Sequence, residues 1–334
     1  MKHFFVINTH SFRSKADKLQ QVLEEIENCF PPGCYAEYKI YMSRYPRDAI
    51  AAIHRYITAA EDETVRVYAI GGDGILFDCL NGMADFSNAE LTNIPFGNAN
   101  DFVRGCFGEN AKKSFLDIKK LTEASVQLVD ILRCGSNYAI NEVTVGISSQ
   151  CVVNANSMFR NKPSRWRDKF IQQIYFLGAV GALWNKELMN QQYEVFLDGK
   201  DFSGSYCNIH FSNSPCDGAT AIPNPYAKPN DGLLDVILAK PKKILPALKP
   251  LSDYFKGHFE KHDIFTRVQC KKAQLKSDLP ICVQMDGEVF YTGGFNVEVI
   301  PQRIQFAVPQ GIGFADYSHK AYRHKTVKKR KQRR

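Results

Sequence analysis

The chain has 334 residues, enough for about two domains. At 44% hydrophobic and 23% charged residues it is neither largely disordered, nor collagen-like, nor a small disulfide scaffold. Its net charge of +8 is uneven, because nine Lys or Arg and no acidic residue lie between Lys320 and Arg334, leaving the remainder almost neutral.

The longest nearly apolar run, Ile174 to Trp184, has 11 residues, short of the about 20 that a membrane-spanning helix needs. Met1 to Asn8 has a short apolar core but neither the 7–15-residue apolar region nor the small-residue cleavage site expected of a secretory signal. Ten scattered cysteines without a CxxC pair are expected to be reduced and mostly buried, as in a cytoplasmic protein.

In chain order, His3 to Asn8 reads as a first buried strand. Leu19, Val22, Leu23 and Ile26 have helical spacing, predicting a helix over Lys15 to Cys29 that ends at Pro31-Pro32-Gly33. A strand follows at Tyr35 to Met42, a helix at Arg47 to Thr58, and a strand at Val65 to Ile70 running into Gly71-Gly72-Asp73-Gly74. Leu76 to Met83 reads as a helix, and Leu91 to Pro95 as a short strand into Phe96-Gly97-Asn98-Ala99-Asn100-Asp101. This alternation predicts a doubly wound, Rossmann-like parallel sheet over 1–125, with ligands at the strand ends where both glycine turns fall.

The texture then changes. Strand-like runs at Ser125–Arg133, Tyr138–Ile147, Tyr193–Leu197, Tyr206–Ser212, Leu233–Leu238, Thr266–Leu275, Ile281–Met285 and Asn296–Ile300 predict an antiparallel, sandwich-like β domain over 126–303. Asp198-Gly199 and Asp286-Gly287 read as hairpin turns, and about Trp166 to Lys186 as a helical insertion. The stretch from Arg160 to Trp184, as an amphipathic helix, fits lipid contact and packing on the β domain equally well. His258 and His262 have no further ligand at a familiar spacing, so a surface helix is favoured over a zinc site. Residues 321–334 read as a disordered tail. Its charge alone fits an anionic membrane, nucleic acid or no partner at all.

Four short segments carry the chemistry. A glycine turn at a strand-to-helix junction brings backbone N–H groups and a helix N-terminus to a phosphate. Asp73 inside such a turn calls for a cation or water between it and the phosphate, which suggests a Mg²⁺-nucleotide. Asn98, Asn100 and Asp101 could bond phosphate, ribose or metal-bound water, and Asn100 or Asp101 could equally cap the next helix. Asn230-Asp231-Gly232 and Asp286-Gly287-Glu288 each read, alone, as structural turns.

In combination, Gly71-Gly72-Asp73-Gly74, the segment Pro95 to Phe102, the segment Asn230 to Val236, and Val283 to Glu288 resemble the diacylglycerol kinase catalytic family, bacterial-type lipid kinases related to sphingosine kinases. The resemblance runs from about His3 to Pro309. It implies a nucleotide-binding α/β domain, a β-rich lipid-substrate domain, an active site in the cleft between them, and a chain end (about 304–320) that returns to the first domain.

Residue by residue, it implies nucleotide contacts at Asn8, Ser11, Ser43, Gly71, Gly72, Asp73, Gly74, Asn98 and Asn100. Asp73 and Asp101 would hold metal-bound water. Asp231, with backbone carbonyls near Lys228 and Leu233, matches a structural Mg²⁺ site. Glu288 matches the general base that takes the proton from the lipid hydroxyl. The chain departs from the family pattern at Ile75, Phe77 and Asp78, where Thr, Asn and Glu are usual, and at Phe12, where glycine is usual.

The expectation is therefore an ATP- and Mg²⁺-dependent kinase of a lipid hydroxyl, on diacylglycerol or a similar lipid. It would work at the cytoplasmic membrane face, recruited by the basic tail, with no specific nucleic-acid partner and a homodimer left open. A non-catalytic nucleotide or lipid sensor of the same fold is one alternative. A kinase of a soluble hydroxyl substrate, as in the NAD kinases, is the other.

Overall fold

The computed structural model describes residues 1–13, 16–159, 164–218 and 221–318. The basic tail, and the side chains of 160–172 in the amphipathic stretch, lie outside the described residues.

The first half alternates strands and helices: β1 (Lys2–Asn8), α1 (Ala16–Cys29), β2 (Glu37–Ser43), α2 (Asp48–Ala59), β3 (Val65–Gly71), α3 (Asp73–Met83), β4 (Ala89–Pro95) and α4 (Asp101–Phe107). The strands are parallel in the order β2-β1-β3-β4. β3 and β4 are buried along their whole length, as strands covered on both faces must be, and β3 is accordingly apolar but for one residue. The exception in β3, Arg66, is neutralised by Glu90 at 2.6 Å. Its remaining N–H groups satisfy the carbonyls of Leu121, Thr122 and Ala124, where two short helices, α5 (Lys112–Phe115) and α6 (Ile118–Thr122), lead out of this half.

The second half opens with β5 (Ser125–Cys134), β6 (Asn137–Ala139) and β7 (Glu142–Gly146). Helices α7 (Ile147–Phe159), α8 (Ser164–Ala182) and α9 (Lys186–Asn190) follow, then β8 (Gln192–Leu197), the two-residue strands β9 (Lys200–Asp201) and β10 (Gly204–Ser205), and β11 (Asn208–Ser212). The chain continues through β12 (Leu234–Ala239), α10 (Ile244–Phe255), β13 (Phe265–Cys270), β14 (Lys272–Met285) and β15 (Glu288–Val308). Strands run without a break in the order β13-β12-β11-β7-β14-β15-β4-β3-β1-β2. β15 makes the join: its start forms a hairpin with β14, and its end pairs antiparallel with β5 and parallel with β4. Ile304, Phe306 and Val308 thereby enter the core of the first half.

Several boundaries differ from the sequence reading. The single strand expected over Tyr138–Ile147 is two, and Ile147 opens a helix. Gly146 breaks the strand at a positive φ of 88°, where a side chain would collide with the Cys207 and Asn208 backbone. Thr266–Leu275 divides at Lys271, while Leu275 and Ile281–Met285 belong to one long β14 with a register shift between Lys276 and Ile281. Helix α10 carries Pro250 in its interior, yet its apolar face is buried. His258 and His262 flank a single 3-10 turn, not a surface helix, and His262 Nε2 lies 2.9 Å from Asp253 Oδ2. All ten cysteines are free thiols. No described helix is long and apolar enough to cross a membrane.

Candidate functional site

Both glycine turns lie at the carboxyl ends of β3 and β4, side by side. Phe96 and Gly97 donate their N–H groups to the Gly71 carbonyl, and Gly72 touches Gly97 backbone to backbone. A Cβ on either residue would meet the other, so glycine is required for the approach itself. Asp73 ties the turns together: its Oδ2 accepts the Asn100 N–H at 2.9 Å and its Oδ1 the Asp101 N–H at 2.8 Å. Burial pushes the Asp73 carboxyl above its ordinary range, against these two amides.

The two asparagines differ in role. Asn100 is 1% exposed in a left-handed conformation, and its amide is spent on Gly97, accepting from N at 3.1 Å and donating to O at 2.6 Å. It shapes the turn from within. Asn98 is part-exposed at the turn. Asp101 opens α4 and accepts the Gly218 N–H at 3.0 Å from the second half.

Gly74 faces open space on the first turn of α3, an 11-residue helix whose N-cap, Gly72, has no side chain to satisfy its leading N–H groups. Those donors fit a phosphate. Beside them Asn8 and Ser11 converge on Gly71, where an added Cβ would lie 3.0 Å from Asn8 Cβ and 3.3 Å from Ser11 Oγ. Ser43 pairs with Asn8 across β1 and β2. Ile75 and Phe12, two departures from the family pattern, point inward: both are buried in the first-half core, and Phe12 packs on Phe96. Both fill space, and Ile75 Cγ2 packs beside Gly71, 2.9 Å from where a Cβ there would stand.

Glu288 begins β15, just after the two-residue turn Asp286-Gly287. Both turn residues have positive φ, 47° and 92°, the type I′ geometry that suits a hairpin. Asp286 is more than a turn former. Its buried carboxylate accepts the N–H groups of Ile140, Asn141 and Glu142 and so clamps the hairpin to β7. Burial pushes its pKa up to about 7 against those amides, and the Asp73 charge adds to the rise.

Glu288 faces the first half through Arg47, whose guanidinium lies 3.8 Å from its carboxylate. The other two departures hold that arginine. Phe77 places its ring 4.6 Å beneath the guanidinium, and Asp78 accepts the Arg47 N–H at 2.9 Å. Burial raises the Asp78 carboxyl to about 6; the Arg47 amide opposes this and the Glu288 charge adds to it.

Asp231 stands apart from these groups. It is exposed, accepts the Leu233 N–H at 3.0 Å, and has Asp130 and Lys228 as its charged neighbours. The fully buried Asp130 fixes this loop, accepting from Gly232 and Gln302, each at 2.7 Å. A carboxylate beside a turn of backbone carbonyls is a donor set of the hard oxygen type that Mg²⁺ takes. Among the described residues, one cluster of three side chains has metal-ligand geometry: Glu142, His210 and Asp217.

Sequence reasoning missed Gly97, Arg47, Asp286, Asp130 and that cluster. An acidic residue inside the apolar run Tyr138–Ile147 was the available signal for Glu142. Nothing local marks Arg47, which acts across the join between halves.

Comparison with known proteins agrees with the two-domain fold. The profile of the diacylglycerol kinase catalytic domain matches residues 2–134. That of the YegS C-terminal NAD kinase beta sandwich-like domain matches residues 141–308. Among curated relatives, a "putative lipid kinase" of Staphylococcus aureus strain bovine RF122 is 27% identical over 246 residues, covering 72% of this chain and 75% of the relative. A protein with the same description from Staphylococcus aureus strain JH9 matches equally well. A solved diacylglycerol kinase structure from Bacillus anthracis strain Sterne shares the fold with a TM-score of 0.67 at 18% identity, over 93% of this chain and 98% of the other.

Proposed function

Because the chain belongs to the diacylglycerol kinase catalytic family, we propose that it transfers the γ-phosphoryl group of ATP, with Mg²⁺, to a hydroxyl of diacylglycerol or a similar lipid. The observation that carries this reading is the Asp73 clamp. It holds the two glycine turns together at the uncapped start of α3, and Glu288 of the second half faces the first half through Arg47.

Phosphoryl transfer asks a protein mainly for positioning and charge neutralisation. The N–H groups at the start of α3 would hold the leaving phosphates, and Gly74, lacking a side chain, would let them approach. Asn8, Ser11 and Ser43 line the same strand ends and would bind the rest of the nucleotide. Asp73 and Asp101 would hold Mg²⁺ through water, and the ion supplies neutralisation of the phosphate oxygens. Asp231 with the carbonyls of Lys228 and Leu233 would hold a second, structural Mg²⁺. Glu288 would accept the proton of the lipid hydroxyl as the new P–O bond forms, and Arg47 keeps that carboxylate oriented towards the nucleotide.

Two features support a lipid acceptor. A cavity of about 220 Å³ lies beside Asp217 and Gly218, lined also by Val152, Tyr175, Phe176 and Phe255. Near it, α8 and its exit expose Phe176, Leu177 and Trp184, while Ala179, Ala182 and Leu183 are buried. That arrangement suits an apolar face resting on a membrane, to which the basic tail would add charge.

The test is to incubate the full chain with ATP and Mg²⁺ against lipids in detergent micelles and, in parallel, soluble hydroxyl compounds. Phosphate incorporated into a lipid supports the reading. Turnover on soluble acceptors alone, or ATP binding without any turnover, overturns it.

A further inference from the structure

On the buried sheet of the second half, a polar face interrupts the apolar one. Glu142 and Thr144 of β7 lie opposite Ser212 and His210 of β11, and Gln284 of β14 lies opposite Thr144. Paired residues and those two apart share a face, so the Glu142 and His210 side chains meet diagonally. Asp217 reaches the same point from the loop after β11.

We propose that Glu142, His210 and Asp217 bind one divalent first-row transition-metal ion, at a site separate from the nucleotide's Mg²⁺ and from the Asp231 loop. Each offers one ligand atom, and the three atoms lie within 4.8 Å of one another. Metal bonds of about 2.0–2.2 Å bring such ligands to about 3–4 Å apart, which small side-chain movements supply.

Two ligand atoms of the cluster are left without a hydrogen bond. His210 Nε2 approaches Glu142 Oε2 to 2.8 Å, yet neither atom makes a hydrogen bond of acceptable geometry, though both residues are almost fully buried. Leaving such atoms unsatisfied is costly in an otherwise apolar layer. Glu142 and Asp217 hydrogen-bond to one another, and Asp101 and Asp286 add negative charge around Glu142.

The outer contacts resemble those that orient metal ligands. His210 Nδ1 lies 2.6 Å from the Tyr254 hydroxyl, which fixes the ring with Nε2 towards the carboxylates. Glu142 Oε1 accepts from Gln284 Nε2 at 3.1 Å, and Gln284 Oε1 in turn accepts from Thr144 at 2.9 Å. One imidazole with two carboxylates is a donor set for Mn²⁺, Fe²⁺ or Zn²⁺. The cavity that Asp217 lines supplies an entry path. The Gly218 amide, next to Asp217, is bonded to Asp101, so an ion here would also steady the second-half side of the nucleotide site.

The test uses the full chain stripped by chelator, without nucleotide, with Co²⁺ as probe, followed by calorimetry and by the visible absorption of the bound ion. One Co²⁺ per chain is expected at this site. Asp217→Asn and His210→Gln should weaken it by more than about 100-fold. Tyr254→Phe should weaken it by about 10–100-fold, as loss of an outer contact does. Asp231→Asn should leave it bound. Asp217 is the least buried of the three, so Asp217→Asn, checked for folding by circular dichroism, decides the matter if His210→Gln does not fold. Absence of Co²⁺ binding, or binding that Asp217→Asn and Tyr254→Phe both leave unchanged, would show that the cluster is only a polar layer.

Discussion

Replacing Gly97 by alanine probes the contact on which the whole site is built. Gly97 does not have the positive φ that alanine resists, so the added methyl acts by bulk alone. It would lie 2.9 Å from Gly72 N and 3.0 Å from Asn100 Oδ1, and closer still to Gly72 Cα. Ordinary contact starts at 3.4 Å, so the turns must part by at least about 0.5 Å, and both neighbours of the methyl in Gly72 are backbone. Overpacking of this kind costs about 1–3 kcal/mol. Parting the turns also stretches the two bonds from Asp73 to the Asn100 and Asp101 amides, each worth about 1.5–3 kcal/mol as a bond to a charged group, of which water recovers part. The expected loss is about 3–5 kcal/mol, a large share of the 5–15 kcal/mol that holds a typical domain. Urea unfolding reads it directly, and ATP affinity measured by calorimetry should fall with it. Gly74→Ala is the control, because its methyl enters open space on a helix, and it should change stability by no more than about 1 kcal/mol. A Gly97→Ala protein within about 0.5 kcal/mol of wild type that still binds ATP normally would refute the clamp.

Three further outcomes follow from the same geometry. Ile75→Thr restores the hydroxyl usual in the family, but at a core position 2% exposed, so it should cost about 1–3 kcal/mol in thermal or urea unfolding and leave ATP affinity within about threefold; a clear gain in affinity would mean that this side chain faces the nucleotide. Arg47→Gln should cost under about 1 kcal/mol of stability, because the ion pair is part-exposed, yet lower turnover about tenfold by releasing Glu288, and unchanged turnover would remove Arg47 from the site. Burial, with the Arg66 and amino-terminal charges, holds His3 down at about 4, so the unfolded chain takes up this proton more readily. The His3 contribution is therefore intact above about pH 6.5 and is lost, by at most about 1.4 kcal/mol per pH unit, as pH falls from 6.5 towards 4. His3→Gln should flatten that part of the stability profile, and an unaltered slope would assign it elsewhere.

The parallel half was legible because its signals are local. β3 is an apolar run broken only by Arg66, β3 and β4 both end in glycine turns, and periodicity places α2 within a residue. Asp73 and Glu288 could be found because each sits in a short ordered motif. What the sequence concealed depends on pairing across distance. β15 is one strand of 21 residues serving both halves, a fact set by its partners β14, β5 and β4 and not by its own alternation. Asp286 looked like any Asp before a Gly, since the three amides it accepts are more than 140 positions away. Ile75, Phe77, Asp78 and Phe12 stood out only as departures from a pattern. Their directions, two into the core and two beneath Arg47, are set by the packing of α3 and could not be read from identity alone.

Glu288, as the proposed base for the lipid hydroxyl, is the group on which phosphoryl transfer turns. The decisive measurement compares wild type and Glu288→Gln for lipid phosphorylation in micelles with ATP and Mg²⁺, with ATP affinity and unfolding measured on both proteins. The account predicts a phosphorylated lipid from wild type and a turnover about 10²–10⁴ lower in Glu288→Gln, with folding and ATP binding kept. A folded wild type that binds ATP and phosphorylates no lipid, or a Glu288→Gln protein that turns over as wild type does, would contradict it.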